Sequence, residues 1–182
     1  MKITDIKQVI QEGGWCCSYS FIDLLRTIER MKEGKGFSKP LEMQPDFQRA
    51  NVWSEEQEIA YVETVLKGGA THARTIYLNC PDWKGGCSTK YKDFVCVDGL
   101  QRYTAIKKFV ENKLRVFGLF MNEFEDYKIL ERMFHMKLNV NNLQNKKDVL
   151  LWYLQINDGG TYHTKDELDK VKSMLLNNHN DN

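Results

Sequence analysis

VCVDGLQRYTAIKKF, residues 95–109, changes character at its centre. Val95, Cys96 and Val97 form a short apolar run suited to a buried strand, and the residues after Gly99 read as an amphipathic helix. The turn between them carries Asp98, Gly99, Gln101 and Arg102, where any small polar linker would serve. A helix start has unpaired amide donors and the positive end of the backbone dipole, so a glycine there lets an anion such as phosphate approach the main chain. Arg102 in the first turn opposes that dipole, and a bound phosphate would make it a favourable bidentate partner. Residues that break local preferences gather at functional sites, which makes Arg102 the sharpest clue. Asp98 has two readings: a helix cap, or a group that holds a metal ion or orients water. Gln101 also has two, as a hydrogen bonder for water or a phosphate oxygen, or as a solvated helix residue.

A similar junction stands upstream in QPDFQRANVW, where Gln48 and Arg49 lie between Phe47, Val52 and Trp53. Pro45 disfavours helix at Gln44, and Ser54 with Gln57 has capping-box form, so an extended stretch leads into a helix. That helix buries Ile59, Val62, Val65 and Leu66 and stops at Gly68-Gly69. Two such junctions in a small domain can converge on one anion.

Further out, residues 18–32 place Phe21, Ile22, Leu24, Leu25, Ile28 and Met31 at helical spacing. ARTIYLNC and DFVCV are short β-rich runs, expected as neighbouring strands joined across the loop PDWKGGCSTKYK by a long hairpin or a crossover. NEFEDYKILERM reads as helix and FHMKLNV as strand. NKKDVLLWYLQIN and TKDELDKVKSMLLNN read as helices parted at Asp158-Gly159-Gly160, the second opened by Thr164 and Glu167 in capping-box form. Strands and helices in this alternation predict an α+β or α/β domain, with α+β the expected class. The expected division is 1–39, a packing helix and loop; 40–118, the core with the turn; and 119–182, a mainly helical extension.

Composition narrows the class. With 42% hydrophobic and 28% charged residues, the 182-residue chain can bury a core. Its 26 Lys and Arg against 25 Asp and Glu give +1, so any polyanion must be met by a local patch. No basic-then-apolar leader and no membrane-length apolar run is evident, so a cytoplasmic location without membrane is the default expectation. Five cysteines, with Cys16 and Cys17 adjacent, do not read as a disulfide framework, and Cys80 and Cys87 in CPDWKGGC are poorly spaced for zinc.

QPDFQRANVWSEEQ, VCVDGLQRYTAI and LQINDGGTYHTKDEL, in this order, resemble the signature blocks of the ParB/sulfiredoxin-like superfamily, and most closely the GmrSD N-terminal family with its Asp-Gly-Gln-Gln-Arg (DGQQR) turn. The resemblance spans about residues 40 to 170. It implies a small mixed sheet with surrounding helices and a helical C-terminal part. It also implies an entry block at Gln48 and Arg49, a nucleotide-binding turn at Asp98, Gly99, Gln101 and Arg102, and a pocket wall at Asn157, Gly159 and Gly160. Leu100 replaces the usual glutamine, and it also stands where sulfiredoxins carry their reactive cysteine, which argues against sulfiredoxin activity.

The expected function is binding of a nucleoside triphosphate, ATP or GTP, with hydrolysis or phosphoryl transfer linked to DNA modification, restriction or phage–host conflict. Arg102 and the Gly99 amide would clamp phosphates and Arg49 would add charge. Asp98 would hold Mg2+ or orient water together with Gln101, and His163 is a candidate base or phosphate contact. The competing class is a non-catalytic module gripping DNA or a DNA-processing protein, with Lys107, Lys108, Lys113 and Arg115 as a basic edge.

Overall fold

The computed structural model describes residues 9–48, 52–85, 90–129, 134–157 and 165–177. Four strands, β1 (Trp15–Ser20), β2 (Thr75–Asn79), β3 (Val95–Asp98) and β4 (His135–Asn141), form one sheet in the order β1-β4-β2-β3. β1 pairs antiparallel with β4, β4 runs parallel to β2, and β2 pairs antiparallel with β3, with an irregularity between Tyr77 and Leu78. The chain is therefore a mixed α+β protein built on a small mixed sheet.

Strand alternation divides the core in two. Ile76, Leu78, Cys96, Met136 and Leu138 face a cluster completed by three helices, α1 (Phe21–Lys32), α2 (Glu55–Leu66) and α3 (Leu100–Val110). Val95 and Val97 point the other way, onto Val149, Leu150, Trp152 and Tyr153 of α4 (Lys146–Asn157) and Val171 of α5 (Lys165–Asn177), with Phe47 beside them. Burial on both faces explains why β3 reads as an unbroken apolar run. Among the described residues no helix is long and apolar enough to cross a membrane.

The helix ends follow local chemistry. Ser54 and Gln57 form the expected capping box of α2, and Arg74 closes the other end by donating to the carbonyls of Val65 and Gly69. Glu58 in α2 is fully buried, and Lys108 of α3 reaches it at 2.6 Å, so its charge is paired across the helix interface.

Two expectations are corrected. Residues 18–20 belong to β1, with Ser20 capping α1, so the helix starts at Phe21. In NEFEDYKILERM a 3-10 turn, Met121–Glu123, comes first and helix begins at residue 127, so the expected helix starts later than its segment does. There the Glu123 carboxylate accepts from the Phe120 amide and from Arg115, which secures the start of the turn. Residues 130–133 and Thr164 lie outside the described residues.

An amide ring fixes the entry to β1. The buried Asn139 side chain accepts from the Gly13 amide at 2.8 Å and donates to the Gly13 carbonyl at 3.1 Å. Only glycine fits there, because a Cβ would stand 1.9 Å from the Val140 carbonyl oxygen.

Candidate functional site

β3 ends at Asp98 and α3 begins two residues later, so the backbone reverses within one residue. Gly99 does this with φ 113° and ψ 7°, in the left-handed region. A Cβ there would meet the Ile76 Cα and Cγ1 at 3.0 Å. Conformation and close approach to β2 therefore both require glycine at this position. Gly99 is the N-cap, and among the described residues α3 has no side-chain cap.

Arg102, one turn into α3, reaches back. Its Nη2 lies 2.9 Å from Asp98 Oδ2, and its Nη1 donates to the Thr75 carbonyl at 2.6 Å. The two side chains are 21% and 17% exposed, respectively, so the pair is neither buried nor solvated. The ion pair resolves the dipole conflict seen in the sequence: Asp98 offsets the positive helix end, and Arg102 offsets Asp98. Asp98 is thus an ion-pair partner and not the cap of α3.

Gln101 turns outward to a different element. Its Oε1 accepts from the consecutive amides of Val52 and Trp53, at 3.1 and 3.2 Å. Trp53 packs on Tyr61 with ring centroids 5.2 Å apart, and the Tyr61 hydroxyl donates to the Ala73 carbonyl at 2.8 Å. Burial pushes the Tyr61 hydroxyl up, against the pull of Arg102 and Arg74.

Gln48 closes the corner from the other side. Phe47 is anchored edge-on against Tyr153, and the Gln48 side chain and the Leu100 amide act on the Cys96 thiol. The Gln48 Oε1 is buried with no hydrogen-bond partner among the described residues. Cys96 itself is wholly buried, and burial pushes its thiol up, so it is a protonated core residue and not a nucleophile.

Four of the sequence-predicted residues therefore surround one corner: Gln48, Asp98, Gln101 and Arg102, with Gly99 as the hinge. Asn157 is buried at the end of α4 on the second face of the sheet, and its amide donates to Tyr153 of its own helix. Arg49, Gly159, Gly160 and His163 lie outside the described residues, as does Cys87. Among the described residues no group of three or more His, Cys, Asp or Glu gathers as a metal would require. Sequence reasoning missed Thr75, whose part is played by a carbonyl, and Tyr61, which reads as one more helix aromatic.

The basic edge is not a free cationic surface. Lys107 bonds Glu29 at 3.0 Å, Lys108 bonds Glu58, Lys113 bonds Glu111 at 2.7 Å, and Arg115 bonds Glu123 at 3.1 Å. Each of these four cations faces a carboxylate.

Against known proteins, the chain matches no family model, no curated protein and no solved structure. Its class is thus defined by architecture and corner chemistry: an α+β protein with an arginine–aspartate pair at an uncapped helix start.

Proposed function

We propose that the chain is a cytoplasmic ParB-like protein that binds a nucleoside triphosphate, ATP or GTP, where β3 turns into α3. It would pass the terminal phosphoryl group to water or another acceptor, in the setting of DNA modification, restriction or phage–host conflict. One observation carries the reading. Gln101 accepts from the Val52 amide, 49 residues away in sequence, so the turn after β3 and the segment entering α2 meet at one corner.

The chemistry needs positioning and charge more than covalent machinery. Arg102 uses two of its guanidinium donors on Asp98 and Thr75, which leaves others for phosphate oxygens. The uncapped start of α3 adds dipole attraction. Asp98 offers one carboxylate, which suits Mg2+ held chiefly by phosphates and water, and the metal would neutralise charge on the transferred group. Asn157 remains a candidate wall residue through its place at the end of α4.

The alternative, a non-catalytic grip on DNA or a DNA-processing protein, loses support because the basic edge is paired with carboxylates. Calorimetry with MgATP and MgGTP, alongside an assay for released phosphate, tests the proposal. Wild type is expected to bind one of them, and Arg102→Ala to lose about tenfold or more of that affinity through loss of the forked contact. Absence of binding by wild type, or equal affinity in the variant, would overturn it.

A further inference from the structure

We propose that Gln101 is a positioning residue, which holds the segment entering α2 against the start of α3 so that both halves of the candidate site keep one register. The amides of Val52 and Trp53 precede α2 and have no helical partner of their own. A single oxygen, Gln101 Oε1, accepts from both. The next amide, that of Ser54, goes to the Gln57 side chain within α2's capping box. Three successive donors thus depend on side-chain oxygens, and only Gln101 supplies its oxygen from another element.

The chain at Phe47 and Gln48 is held as well. Phe47 sits in the second cluster, the Gln48 amide donates to Pro45, and the Gln48 side chain reaches Cys96 in β3. Gln48 is thus tied to the strand before the turn, while Gln101 ties Val52 and Trp53 to the helix after it. Gln101 neighbours Arg102 in sequence, so a shift of α3 would move the Arg102 guanidinium and the Val52–Trp53 backbone together. This assigns Gln101 a role distinct from orienting water: its acceptor oxygen is already committed to the protein. The coupling stands on hydrogen bonds alone, and only its consequence for ligand binding rests on the nucleotide reading.

The test is amide hydrogen exchange at Val52 and Trp53 in the full chain, with MgATP and MgGTP calorimetry in parallel. Gln101→Met keeps the length but removes the acceptor, and exchange at these two amides should quicken roughly 10- to 100-fold, as loss of two neutral hydrogen bonds implies. Gln101→Glu retains acceptor oxygens, and protection should stay within about threefold of wild type. Nucleotide affinity should fall about tenfold in Gln101→Met through lost pre-organisation. Unchanged exchange in Gln101→Met, or loss of protection in Gln101→Glu, would overturn the coupling. Faster exchange with unaltered affinity for a nucleotide that wild type binds would overturn its role in the site. A wild type that binds no nucleotide, with the exchange pattern as expected, would support the coupling and overturn the nucleotide reading instead.

Discussion

Two strands in this protein pass straight into helices, and the two junctions are built on opposite lines. At β1 to α1, Ser20 caps the helix by accepting from the Asp23 amide at 3.2 Å, Asp23 sits in the first turn, and Arg30 and Lys32 sit in the last. Cap and charges all favour the helix. At β3 to α3 the cap is a left-handed glycine without a side chain, no acid stands in the first turn, and Arg102 does. The first junction is explained by helix stability alone. The second satisfies its charges through Asp98, outside the helix, and keeps amide and guanidinium donors at the same corner. That contrast is the physical case for looking for an anion at one junction and not at the other.

The largest effect should come from forcing the second junction toward ordinary geometry. Gly99→Ala meets a left-handed backbone and contacts of 3.0 Å on Ile76, and should cost about 2–4 kcal/mol by strain and overpacking. Urea unfolding measures this directly. A loss under ~0.5 kcal/mol would mean that the turn relaxes freely, contrary to a tight fit against β2.

Next comes the charge pair. Arg102→Ala leaves the half-buried Asp98 carboxylate without its partner and the Thr75 carbonyl without a donor. A stability loss of about 1–3 kcal/mol is expected, between the exposed and fully buried limits for ion pairs. In the double variant Asp98→Ala/Arg102→Ala, part of that loss should return, and the double-mutant cycle should give a coupling of about 1 kcal/mol. Additive losses would show that the pair is geometric only.

At the first junction, Ser20→Ala should cost about 1 kcal/mol, the usual worth of a serine cap. The same measurement sharpens the comparison, because only this junction depends on a side-chain hydroxyl.

How far these junctions could be read beforehand differs for physical reasons. The strand-to-helix change at Asp98-Gly99, the capping box at Ser54 and the adjacency of β2 and β3 all leave local patterns, and all three stand in the structure, which settles the open choice of hairpin or crossover as an antiparallel pair. β1 did not, because it is an edge strand whose Cys16, Cys17 and Ser18 are exposed, so the alternation that marks a half-buried strand is missing. The Asp98–Arg102 pair was not foreseen, although its spacing of four residues is that of neighbours one turn apart. Gln101's partners were not legible. Backbone amides 48 and 49 residues away carry no side-chain signature, and only the packing of α2 on α3 brings them within reach. The burial of Glu58 left no sign for a similar reason: its partner Lys108 comes from a distant element.

The smallest expected effect links the two junction helices to each other. Glu29 of α1 accepts from the Tyr103 hydroxyl of α3 at 2.7 Å and from Lys107 at 3.0 Å. The Tyr103 hydrogen bond, helped by Lys107 and Lys32, holds the Glu29 carboxyl down to about 2, although burial opposes this. A carboxylate whose folded value is depressed adds stability above its unfolded value, and that contribution fades as pH falls from the ordinary glutamate range of about 4.5 through about 2. Glu29 is 43% exposed, so solvent screening keeps the contribution below about 1 kcal/mol. Glu29→Gln should therefore lower the urea midpoint slightly at neutral pH and flatten its decline between pH 4.5 and 2. Parallel wild-type and variant curves across that window would mean that α1 and α3 are joined by apolar packing alone.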